Sequence, residues 1–208
     1  MSNFAKIIQN NLDRLYSDSV ADLEKHLPCT AVQDHLLFEA FGAQCRVTPG
    51  GIFLDGQLED GPRGIVVSLY ALHHHPDPPL LEPFRAFKEL PGSQPYAGAF
   101  ARQTETILVP HVPRIESRCG RILKAMAAAD ASGPRSGDFS LLLRPLPKIF
   151  LYYICYRADE DFAASVTCLF SYNALRFLPL DGLADAAEYT SRRILELVDW
   201  PSAAPAEP

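Results

Sequence analysis

Three groups of side chains in this chain have the types and spacing for chemistry. The run Asp159-Glu160-Asp161 follows directly on the apolar stretch Ile149 to Tyr156. Carboxylates presented at the end of a buried strand can ligate a cation or act as a general base. A turn aspartate also commonly accepts hydrogen bonds from the backbone amides that follow it, and both readings stand for this run. His73-His74-His75 is the second group. Successive residues on a helix point about 100° apart, so helical imidazoles at this spacing cannot converge on one ion. In an extended segment His73 and His75 would share a side and become candidate metal ligands. Histidines that merely finish a helix are also favourable there, because the helix C-terminus carries partial negative charge. Third, Arg114, Arg118, Arg121 and Lys124 recur every three or four residues. On one helix they would form an anion-binding strip, or a solvated face paired with acidic flanks.

Other chemistries lack their patterns. The five cysteines, Cys29, Cys45, Cys119, Cys155 and Cys168, are odd in number and contain no Cys-x-x-Cys pair. Disulfide frameworks, structural zinc sites and iron–sulfur clusters need closer or paired spacing, so these thiols read mostly as small core hydrophobes. The chain has no phosphate-binding glycine loop, no Gly-x-Ser-x-Gly elbow and no His-Glu-x-x-His pair, so neither a nucleotide site nor a catalytic nucleophile is signalled. Its 19 Lys and Arg stand against 25 Asp and Glu, a formal charge of -6 that opposes nucleic-acid binding. Tyr152, Tyr153 and Tyr156 have no basic residues alternating with them and read as core, not as a base-stacking platform.

The elements that must position these residues follow from periodicity. Phe4, Ile7, Ile8, Leu12 and Leu15 predict a surface helix over 3–16, and Ser19 opens a second helix toward Leu27. The spacing of Val32, Leu36, Leu37, Ala40 and Phe41 predicts that helix resumes near Ala31 and stops at Gly42. A hairpin is expected from Gln44–Thr48 and Ile52–Asp55 about Pro49-Gly50-Gly51. Pro62 starts a helix that is apolar on nearly every face and is therefore expected to be buried. Prolines at 76, 78, 79, 83, 91, 95, 110 and 113 predict an irregular segment with one short helix near 96–102.

Further on, residues 114–129 read as one helix and 131–137 as a loop. Three strands are expected at 139–143, 149–156 and 165–170, the middle one buried on both faces. A final helix is capped by Asp181, with Leu183, Ala187, Ile194 and Val198 inward and Glu188 paired with Arg192. The architecture is α+β, with helices on small, mainly antiparallel sheets built from hairpins. Residues 1–200 are read as one globular domain and 201–208 as a disordered tail. The first residues lack a basic segment leading into an apolar one, and the longest apolar run is far short of the about 20 residues of a membrane helix, so a soluble, cytoplasmic chain is expected.

Several motifs occur in a characteristic order: Phe87-Lys88-Glu89-Leu90-Pro91-Gly92 with Tyr96 and Phe100, Leu146-Pro147-Lys148-Ile149, Asp159-Glu160-Asp161-Phe162, Ala164-Ser165, Leu169-Phe170, and Leu178-Pro179-Leu180-Asp181. Together they resemble a prokaryotic family catalogued only as a domain of unknown function. The resemblance implies a prokaryotic cytoplasmic protein; some relatives look fused to an iron–sulfur segment that this chain lacks. Ala163 stands where the family tends to have Pro, and Ser171 where it tends to have Asp. The second departure removes a carboxylate that a metal site at the acidic turn would use.

The resulting expectation is an accessory or small-ligand-binding protein without its own catalytic motif. Its groove would join Asp159, Glu160 and Asp161 to Phe87, Glu89 and Tyr96. The alternatives are a metal-dependent enzyme, in which Glu160 or Asp161 acts with His73 or His75, and a protein–protein adaptor. Neither nucleic acid nor membrane is expected as a partner.

Overall fold

The structure, a computed structural model, describes residues 2–17, 19–126 and 136–199. Helix α1 (Asn3–Leu15) opens at Ser2, whose hydroxyl accepts from the amide of Ala5, and buries Ile8, Leu12 and Leu15. Helix α2 (Val20–His26) follows. The next stretch departs from expectation. Instead of helix, the chain forms strands β1 (Thr30–Val32) and β2 (His35–Ala40). Leu36 and Ala40 are buried while Leu37 and Glu39 face solvent, a period of two. Gly42 serves the β2–β3 turn and does not cap a helix: Phe41 and Gly42 both have positive φ, as a two-residue hairpin turn demands. A Cβ at Gly42 would also lie 2.2 Å from the carbonyl oxygen of Ala125.

Strands β3 (Ala43–Thr48) and β4 (Gly51–Leu54) form the expected hairpin, and Asp55-Gly56 turns the chain into β5 (Gln57–Leu58). The five strands make an antiparallel meander in sequence order. Helix α3 (Pro62–Leu72) begins with Pro62 in its first turn and is buried at Val66, Val67, Ser68, Tyr70 and Ala71. It packs beside α1, where Asn11 Nδ2 donates to Ser68 Oγ at 2.9 Å.

The proline-rich segment is more helical than its prolines suggest. After β6 (Arg85–Ala86) come 3-10 turns at Phe87–Glu89 and Gln94–Tyr96, helix α4 (Ala97–Phe100), a π-helical turn at Ala101–Glu105 and a 3-10 turn at Thr106–His111. The prolines divide it into short pieces without making it irregular. Next, α5 (Val112–Ser117) and α6 (Cys119–Ala125) meet at Arg118, where φ is -112° and ψ 13°. The single helix expected over 114–129 is thus broken, beside Gly120, a weak helix former. The end of that helix and most of the 131–137 loop lie outside the described residues, as does the tail.

Strands β7 (Phe139–Leu146), β8 (Ile149–Tyr156) and β9 (Ser165–Phe170) match expectation, and β8 is buried on both faces at Leu151, Tyr152 and Tyr153. With β6 they form the second antiparallel sheet, in the order β6-β9-β8-β7. The two sheets touch where the amide of Phe41 donates to the carbonyl of Pro145 at 2.7 Å. Helix α7 (Leu180–Asp199) buries Leu183, Ala187, Ile194 and Val198 as predicted. One cluster of buried apolar residues draws on both sheets and on the helices between them. The fold class is α+β.

Candidate functional site

The segment 87–104 is held against the end of β9 by aromatic packing. Phe87 and Phe100 stack with ring centroids 4.2 Å apart and planes 6° apart, and Phe170 lies 6.1 and 5.7 Å from them. Glu89 shapes this segment from within, because its Oε2 accepts from the amide of Ala86 at 2.8 Å. Gly92, at φ 78°, turns the chain into the next helical turn.

A cleft of about 480 Å³ separates this segment from α7. Phe87, Tyr96, Phe100, Gln103 and Thr104 form one wall. The facing wall is Leu180, Asp181, Ala184, Asp185 and Glu188, whose spacing of three and four residues defines one face of α7. Tyr96 is exposed, whereas Thr104 is 1% exposed. The Thr104 Oγ1 has no hydrogen-bond partner among the described residues, although a buried hydroxyl ordinarily has one. The π-helical turn places Thr104 on the cleft while its neighbour Glu105 reaches β9, where Oε1 accepts from the amide of Cys168 at 2.9 Å. Such wide turns recur at functional positions.

The cleft is electrostatically one-sided, with no Lys or Arg among its described lining residues. Glu188 Oε1 accepts from Arg192 Nε and Nη2 at 2.9 and 2.7 Å, the expected pair one turn apart. The carboxylates of Asp181 and Asp185 make no hydrogen bond or ion pair among the described residues. Burial pushes the Asp185 carboxyl above the usual carboxylate range, and the nearby charges of Glu188 and Asp181 push it the same way. Asp181 is not the cap of α7, since the helix begins at Leu180; it lies in the first turn, where a negative charge suits the helix dipole.

The residues singled out from sequence divide between this cleft and other places. Phe87 and Tyr96 line it, and Glu89 is committed to its own turn. Asp159, Glu160 and Asp161 lie in the exposed β8–β9 connection, beyond Ser165, while Phe87 follows β6, which pairs with Leu169 and Phe170. At about 3.3 Å per residue, roughly 17 Å of β9 separates the two ends. The expected groove joining them is therefore not formed. Asp159 Oδ1 accepts from the amides of Asp161 and Phe162 at 2.9 and 2.7 Å, the turn-forming role of an aspartate.

The histidines diverge. His73 Nδ1 lies 2.8 Å from the carbonyl of Leu69 one turn back, His74 stacks on His26 with centroids 5.3 Å apart, and His75 faces Asp77 at 3.5 Å. Among the described residues no group of three or more His, Cys, Asp and Glu is placed to hold a metal ion. Of the basic strip, Arg114 closes the end of α7 through Asp199 at 2.7 Å and the carbonyl of Val198 at 3.1 Å. The break at Arg118 separates it from Arg121 and Lys124, which lie on α6. Burial raises the thiol pKa of each cysteine, Cys29 to about 11 and Cys45 and Cys155 to about 12, so none is a thiolate nucleophile near neutral pH.

Lys148, at the tight β7–β8 turn, has a structural task. Its Nζ is within 2.5 to 3.0 Å of the carbonyl oxygens of His26, His75 and Asp77, and it lies over the Phe177 ring at 5.3 Å. Ser171 is fully buried with its hydroxyl unpartnered among the described residues.

Residues 19–193 match the family described as "Domain of unknown function (DUF3786)". The chain belongs to that family. No curated protein and no solved structure matches it. Among the described residues no helix is long and apolar enough to cross a membrane.

Sequence reasoning missed Thr104 and Asp185, and singled out Phe100, Asp181 and Glu188 for other roles than lining a site. The i, i+4, i+7 spacing of the three acids was a legible signal, but a lone face of α7 becomes a wall only when a distant segment packs opposite it.

Proposed function

We propose that the protein binds a small molecule in the cleft between the 87–104 segment and α7. The observation that carries this reading is the cleft itself, walled on one side by Phe87, Tyr96 and Phe100 and on the other by the carboxylates of Asp181, Asp185 and Glu188. The cleft is also of the size and mixed apolar and polar character of small-molecule sites. Its described lining residues hold three carboxylates, two hydroxyls and one amide, with no His, Cys or Lys, which favours binding over catalysis. The protein is accordingly read as an accessory or ligand-binding protein of the cytoplasm.

Ala184 offers a direct test, since it is partly exposed on the α7 wall. Ala184→Trp should fill the cleft while leaving the buried face of α7 intact. In saturation-transfer NMR against mixed neutral, cationic and anionic aromatic fragments, the wild type should give binding signals that this variant loses. Equal signals from the two proteins would contradict the assignment.

A further inference from the structure

We infer that the occupant of this cleft is an organic cation, a primary or secondary ammonium group carried on an apolar body. The inference rests on the ligand-binding reading above and adds the chemical class. Three carboxylates of α7 face the cleft, and among the described residues only Glu188 has a counter-charge, from Arg192. Asp181 and Asp185 stand one turn apart with none, and like charges at that spacing repel. A cation between them turns that repulsion into attraction in a partly desolvated place, where charge pairs are stronger than in open water. Burial raises the Asp185 carboxyl most, and the charges of Glu188 and Asp181 push it the same way.

The rest of the lining suits the remainder of such a molecule. The side-chain amide oxygen of Gln103, an exposed lining residue, can accept an ammonium N–H. Tyr96, 61% exposed, offers an aromatic face to a cation. Phe87, Phe100 and Leu180 supply apolar surface for a carbon body. Other ligand classes fit less well. An anion would meet three carboxylates and no basic side chain. A bare metal ion would find no convergent ligand set among the described residues and would leave the aromatic wall unused.

The test is calorimetric titration of the full chain at neutral pH with two matched series: phenethylammonium, phenethyl alcohol and hydrocinnamate, then hexylammonium, hexanol and heptanoate. The ammonium member of at least one series should bind at least about tenfold more tightly than its alcohol, with its carboxylate weaker still. Asp185→Asn should lower ammonium affinity by roughly threefold to tenfold and leave the alcohols unchanged. An alcohol or carboxylate that binds as tightly as its ammonium, or an ammonium affinity untouched by Asp185→Asn, overturns the cation assignment. If the alcohols bind and Ala184→Trp abolishes that binding, the cleft remains a ligand site and only the cation is wrong. If none of the six binds, both readings fail.

Discussion

Asp185 shows how a residue can be unfavourable for stability and useful for binding. Its carboxyl is raised by burial, then by Glu188 and Asp181. Between the ordinary aspartate pKa and the raised one, the folded protein holds more protons than the unfolded chain, so stability falls as pH rises through that window. Above it the penalty is complete. Asp185→Asn should therefore raise the melting temperature at neutral pH, and the gain should shrink toward zero below pH about 4, where both states are protonated. Melting curves across that range check the sign; a variant less stable than wild type at neutral pH would show that Asp185 has a stabilising partner. Phe87 and Tyr96 were visible beforehand because they sit in a distinctive segment. Thr104 was not, since nothing in Gln103-Thr104-Glu105 announces a π-helical turn that buries one residue and sends the next to another strand.

At the scale of elements, legibility followed the strength of local signals. The helices α1, α3 and α7 and the strands β3, β4, β7, β8 and β9 have clear periodicity or turn residues, and all were found. Residues 31–41 were misread because Leu36, Leu37, Ala40 and Phe41 satisfy helical spacing, while the deciding features are the paired turns at Gln33 and at Phe41-Gly42. Pairing with β3, a tertiary event, outweighs that local pattern. Lys148 acts at this scale too. From the β7–β8 turn it ties the C-terminus of α2 to the stretch after α3 by donating to the carbonyls of His26, His75 and Asp77. The residue is nearly buried; desolvation pushes its pKa down while Asp77 pushes it back up. Lys148→Met keeps most of the volume and removes the donor. It should cost about 2–4 kcal/mol, the scale of leaving buried acceptors unpaired, measurable by urea unfolding. A change under about 0.5 kcal/mol would mean that water replaces the ammonium.

For the whole molecule, two sheets and the helices share one buried apolar cluster, and the 87–104 segment bridges the second sheet to α7. The acidic turn and the histidines, which look most like chemistry in the sequence, lie in separate places. The cleft instead assembles from stretches about ninety positions apart, which is why its charged wall could not be read from either alone. The most direct measurement of the central claim is an amide chemical-shift map of the isotopically labelled protein titrated with phenethylammonium. Saturable shifts should concentrate at Phe87, Phe100, Thr104, Ala184 and Asp185 and leave the 159–162 turn and His73–His75 unmoved. Shifts confined to that turn or those histidines, or none in the cleft at saturating probe, would contradict it.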